Sequence, residues 1–107
     1  MANDCIFCRI ISKEVPGNIF YENESLIVLD DLHPKARYHK LIIPKIHIAT
    51  FNDMTERHDA LWLEMKRTAL WLAKELQVAS SGYQLRLHCG KGGGQEVFHL
   101  HWHFLAN

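Results

Sequence analysis

Apolar and polar positions alternate at the end of the chain. In residues 97–105, Phe98, Leu100, Trp102 and Phe104 fall at every second position, with His99, His101 and His103 between them. A period of two is that of a strand with one face in a core. Residues 83–88 repeat it, with Tyr83, Leu85 and Leu87 opposed to Gln84, Arg86 and His88. Residues 18–22 and 25–31 flank Asn23-Glu24, and the second is rich in strand-favouring side chains, which predicts a hairpin. Residues 39–43 (HKLII) predict another strand, ended by Pro44.

From Asp53 the period lengthens. Leu61, Met65, Ala69, Leu72 and Leu76 recur at spacings of three and four, predicting a helix over residues 53–76, with Asp53 and Glu56 as a capping box. Trp62, Leu63, Leu70 and Trp71 lie off that stripe. A cluster with two tryptophans predicts a second packing face, turned to a partner. The elements add up to an α+β fold. One long helix should cover the Phe98, Leu100, Trp102 and Phe104 face of an antiparallel sheet.

At 107 residues the chain fits a single domain, 1–107, without linker or repeat. A domain this small gains from an extra stabiliser, either a metal or a partner. Twelve basic and twelve acidic residues cancel, which disfavours nucleic acid as a partner. No apolar run approaches the roughly 20 residues of a membrane span, and the start, MANDCIF, does not read as a signal peptide. Three cysteines, two of them as Cys5-Ile6-Phe7-Cys8, fit a reducing compartment and a cytoplasmic location.

The chemistry follows from eight histidines. His99, His101 and His103 on one strand face can jointly ligate a metal, or divide the work between a nucleophile and proton-handling groups. The CxxC pair has the spacing of half a structural zinc site. Its remaining ligands stay open by spacing among Cys89, His47 and the outermost triad histidine. Four glycines within residues 90–94, just before the histidines, suit a turn whose free N–H groups meet an anion. An imidazole nucleophile beside such a turn points to phosphorus chemistry.

Three separated blocks carry a family resemblance: DCIFCRII at 4–11, LIVLDDLHPKARYHKLIIPKIHI at 26–48, and GGGQEVFHLHWHFL at 92–105. They resemble the histidine triad superfamily, in particular its zinc-containing nucleotide-binding branch. The resemblance implies a five-stranded antiparallel sheet with one long helix, paired into a homodimer with a ten-stranded sheet. It implies a purine nucleoside phosphoramidate hydrolase, with dinucleoside polyphosphate hydrolysis or non-catalytic nucleotide binding as alternatives.

By position, His101 would attack the α-phosphorus, His103 would hold the phosphate oxygens, and His39 would complete the cluster. Gln95 and the backbone of Gly94, Glu96 and Val97 would contact phosphate, and Asp31 the ribose. Ile6, Phe7, Ile10, Phe20 and Ile27 would form an apolar purine slot. Cys5, Cys8, His47 and His99 would hold a structural zinc, with His99 braced beside the nucleophile. No organic cofactor is implied. Two departures bear on the substrate. His88 stands where the family has Asn, which implies either a shift toward more anionic substrates or a site that tolerates the exchange. The chain also stops at Ala106-Asn107, where relatives carry a tail that shapes the mouth of the partner's site.

Overall fold

The structure, a computed structural model, describes residues 4–107. Part of the N-terminal stretch read as lacking a signal peptide thus lies outside the described residues. Strands β1 (Ile19–Glu22), β2 (Leu26–Asp30), β3 (Tyr38–Pro44), β4 (Gln84–Leu87) and β5 (Trp102–Ala106) form one antiparallel sheet in the order β1-β2-β3-β5-β4. The β1–β2 hairpin turns on Asn23, whose Oδ1 accepts from the N–H groups of Ser25 at 2.8 Å and Leu26 at 3.0 Å. A carboxamide oxygen that replaces a backbone acceptor is why Asn suits such turns.

Two helices cover the two faces. The long one, α2 (Asp59–Glu75), packs Met65, Ala69, Leu72 and Ala73 on Leu26, Val28, Ile42, Trp102 and Phe104. The short one, α1 (Ile6–Ile11), buries Phe7 and Ile10 on the opposite face, against Ile27, Leu29, Leu41 and Ile43. Among the described residues no helix is long and apolar enough to cross a membrane.

Two expectations need correction, and one element is additional. The long helix begins at Asp59 rather than Asp53, because two threonines divert the chain into separate 3-10 turns. Thr50 forms a reciprocal cap with Asp53, and Thr55 does the same with His58, with Met54 extended at ψ 144° between the turns. The C-terminal strand begins at Trp102, since before it the chain leaves the sheet and the Leu100 N–H bonds to the Ile48 carbonyl instead. Phe98 is therefore exposed rather than covered by α2, and His99 and His101 precede the ladder. Finally, α1 was not foreseen. Cys5 caps it, its Sγ accepting from the Cys8 N–H at 3.4 Å.

Off the α2 stripe, Trp62 stands edge-on to Trp102 with ring centroids 4.8 Å apart, whereas Leu63, Leu70 and Trp71 are exposed.

Candidate active site

Register brings the histidines together. His39 pairs with Leu105 and Leu41 with His103, so His39 and His103 stand on one face of neighbouring strands. The His39 Nε2 lies 2.9 Å from the His103 Nδ1, and the Lys35 N–H donates to the His39 Nδ1 at 3.2 Å. Proton positions follow from these partners. The His39 Nδ1 accepts, so its one ring proton sits on Nε2 and is donated to His103, whose own proton is left on Nε2. At His101 the partner is the His99 carbonyl, 2.7 Å from Nδ1. A carbonyl only accepts, so the proton is on Nδ1 and Nε2 keeps its lone pair.

Burial keeps these rings neutral. It is the main cause that lowers His103 to about 4, with the nearby rings of His101, His39 and His88 adding to it. Burial likewise lowers His101 against the opposing effect of the His99 carbonyl, and lowers His39 against the opposing charge of Asp31.

His101 and His103 open onto a cavity of about 170 Å³. Phe7, Leu41 and Val97 form its apolar wall, and Asp31, Lys35, His88, Gly94 and Glu96 its polar rim. Asp31 accepts the His33 N–H through Oδ1 at 2.8 Å, with Oδ2 3.5 Å from the His39 Nε2. His88 stands beside His103 with ring centroids 5.0 Å apart. Gly94 takes φ 86°, a left-handed conformation that glycine adopts without strain, and its missing Cβ would sit against the His88 ring.

Some of the anticipated residues lie elsewhere. Gln95 is buried outside the cavity with its amide committed to backbone. It accepts from the Gly90 N–H and donates to the carbonyls of Ala49 and Val97, which shapes the glycine loop from within. Ile10 and Ile27 are core residues behind Phe7. Ile6 lines a neighbouring groove with His47 and Phe98. Phe20 falls on the α2 side, its ring 6.2 Å from Trp71 with the Lys40 Nζ 4.0 Å from its centroid. The register shift between Ile19 and Tyr21 accounts for this, since a bulge re-aims the side chains that follow it. Sequence reasoning missed Lys35 and Leu41 in the lining and Leu29 in the wall behind Phe7. Leu29 was legible, being two residues from Ile27 on one strand face.

The three triad rings do not converge on one metal. His99 donates from Nε2 to the Pro44 carbonyl at 2.7 Å, which turns its Nδ1 lone pair away from the cavity. That nitrogen lies 3.3 Å from the Cys5 Sγ, 3.5 Å from the Cys8 Sγ and 3.2 Å from the His47 Nδ1. The Cys8 Sγ is 3.3 Å from the His47 Nδ1. A tetrahedral zinc bound to two thiolates and two imidazoles has ligand–ligand edges of about 3.3–3.8 Å, so this donor set fits the ion in chemistry and spacing. Cys89 is outside the cluster. Burial and the neighbouring Cys5 push the Cys8 thiol up to about 11.

The chain is similar to several known proteins. Residues 4–107 match the family described as scavenger mRNA decapping enzyme C-term binding. The purine nucleoside phosphoramidase of Escherichia coli (strain K12) is 38% identical over 106 residues, covering 99% of this chain and 89% of that protein. A HIT family hydrolase from Legionella pneumophila Philadelphia 1 superposes with a TM-score of 0.94 at 38% identity, covering 96% of this chain and 92% of that one. A zinc-bound histidine triad family protein from Mycobacterium smegmatis gives a TM-score of 0.84 at 29% identity over 100% of this chain and 77% of that one.

Proposed function

Because this chain belongs to the histidine triad superfamily of hydrolases, we propose that it is a purine nucleoside phosphoramidase, cleaving the P–N bond of nucleoside 5'-phosphoramidates through a nucleotidyl-His101 intermediate. The observation that carries the reading is the proton placement around the cavity: a lone pair on the His101 Nε2 beside an N–H on the His103 Nε2.

The His101 Nε2 forms a bond to the α-phosphorus as the P–N bond opposite it breaks, and the departing nitrogen takes a proton from solvent at the open side. The Nδ1–H held by the His99 carbonyl stabilises the positive charge that develops on the His101 ring. His103 gives its Nε2–H to a non-bridging phosphate oxygen, with His39 and the Lys35 amide holding that tautomer in place. Water then attacks phosphorus, releases its proton to solvent and returns the electron pair to Nε2. One difficult displacement becomes two easier ones.

The remaining assignments complete the proposal. Asp31 holds the ribose, and the apolar wall at Phe7 takes the purine. Cys5, Cys8, His47 and His99 hold a structural zinc, which would supply a fixed cross-link between α1 and the segment that leads into β5. Two copies pair through the exposed β4 edge and the exposed Leu63, Leu70 and Trp71 of α2, giving a ten-stranded sheet. The single domain works in the cytoplasm. Rapid quench of the protein with adenosine 5'-phosphoramidate, followed by peptide mass spectrometry, is expected to find adenylate on His101. Adenylate on another residue, or steady turnover by His101→Ala, would overturn the reading.

A further inference from the structure

Of the imidazoles in and beside the cavity, His88 is the one that the reaction above leaves without a task. It is the first residue past β4, half-buried, and lines the cavity with His101 and His103. His39, His101 and His103 each have a ring nitrogen held by a partner, whereas neither nitrogen of His88 has one among the described residues. The glycine loop packs along the Cγ–Nδ1 edge of the ring, since a Cβ on Gly94 would lie 4.0 Å from both atoms. The Nε2 corner is opposite that edge. His88 and His101 each stand 5.0 Å from His103 between ring centroids. A phosphate held by His103 is therefore within reach of both. In-line displacement puts nucleophile and leaving group on opposite sides of phosphorus. With His101 as the nucleophile, His88 is the ring left beside the bond that opens.

The charged groups around His88 are mixed in sign. Asp31, Lys35 and Glu96 line the same cavity, Arg86 precedes His88 by two residues on β4, and Cys89 and Lys91 follow it toward the glycine loop. The adjacent rings of His101 and His103 are held neutral by burial. At neutral pH a carboxylic acid is ordinarily ionised, while an ammonium or a guanidinium ordinarily keeps its proton. Of the side-chain types lining this cavity, only imidazole readily both gives and takes a proton there. The Asn that the family has at this position can donate a hydrogen bond but cannot part with the proton.

We infer that His88 is a catalytic residue of this chain, giving a proton to the departing nitrogen and recovering one from the attacking water. The inference rests on the phosphoramidase reading above and deepens it: the protons which that reaction exchanges with solvent pass through one ring at the cavity rim. As the His101 Nε2 bonds to phosphorus, the P–N bond breaks. Its electron pair stays on nitrogen and takes the proton of the charged His88 ring, so a neutral amine departs. Water then attacks phosphorus, the bond to His101 breaks with its pair returning to Nε2, and the water proton goes to the now neutral His88. The ring ends the cycle as it began. Such a donor matters because an amine that leaves without a proton leaves as a strongly basic anion.

The test follows single turnovers of two substrates. Adenosine 5'-phosphoramidate has a departing nitrogen that needs a proton, whereas the 4-nitrophenyl ester of adenosine 5'-monophosphate releases a phenolate that needs none. His88→Asn should slow the first by roughly ten- to a hundredfold more than the second, a general-acid contribution reduced by the access of solvent to a half-buried ring. The active form of a donor is the protonated one. In the intact protein the phosphoramidate rate should therefore fall as pH rises between about 5 and 8, the ester rate should show no such fall, and His88→Asn should abolish it. Equal slowing of both substrates would overturn the inference and leave His88 as a contact to phosphate. An alkaline fall that survives in His88→Asn would also overturn it. The two pH profiles of the intact protein need no variant, and identical profiles would overturn the inference by themselves while the phosphoramidase reading stands. If the intact protein cleaves no phosphoramidate, the reading of the reaction fails first and takes this inference with it.

Discussion

One proton lies between His39 and His103, and it belongs to His39. The rings are 2.9 Å apart, and the Lys35 N–H occupies the only other nitrogen of His39, so His103 is left with its own proton directed at the cavity. In ¹⁵N NMR spectra of the ring nitrogens at pH 7, both residues are expected in the Nε2–H form. Lys35→Pro, which removes the amide donor, should mix the two tautomers of His39 and lower turnover by about ten- to a hundredfold, the scale on which orienting partners act. A single unchanged tautomer in that variant would show that the amide plays no part.

The same rings set a pH dependence of stability. The pKa of His103 is lowered from the ordinary 6.5 to about 4 on folding, so between those values the unfolded chain binds more protons than the folded one. The contribution is fully present above pH 6.5 and is lost as pH falls toward 4. Unfolding midpoints in urea should therefore drop across that window, and drop less in His103→Gln. Equal pH slopes in the two proteins would contradict the neutral ring.

Metal removal is expected to loosen the site without acting on the chemistry. Elemental analysis should find one zinc per chain. Chelation or Cys8→Ser should lower the melting temperature and cut turnover by about ten- to a hundredfold, because the His99 carbonyl that aligns His101 hangs on the same residue as the ligand nitrogen. Full turnover together with an unchanged melting temperature after zinc loss would contradict this brace.

Light scattering should give twice the chain mass. Leu63→Glu and Leu70→Glu, both at positions exposed in the single chain, should shift the protein to monomer, since each fully covered leucine contributes about 1.5–3 kcal/mol. Dimers that persist in both variants would place the interface elsewhere.

The sequence already held much of this arrangement, unevenly. Runs of strand-favouring residues located β2 and β3, which are buried on both faces, and alternation located β4 and most of β5. Alternation failed at Phe98, where a bond from Leu100 to Ile48 takes the chain out of the sheet, and the resemblance failed at Phe20, where a bulge turns the strand. Both are tertiary events without a local signature. The helix α1 hid behind its own chemistry: Cys5 and Cys8 were read as a ligand pair, yet a spacing of three is also one helical turn, and here it is both. His39 was reached by resemblance, while Lys35 carried no signal, since its contribution to the ring is through the backbone.

That last point reaches further than the site. Every residue type but proline carries the amide that Lys35 lends to His39. The long side chain is thus a spare degree of freedom at a position already fixed for another reason. An acid, an amide or an aromatic at this position would alter the charge and shape of the cavity rim while leaving the backbone support of His39 intact.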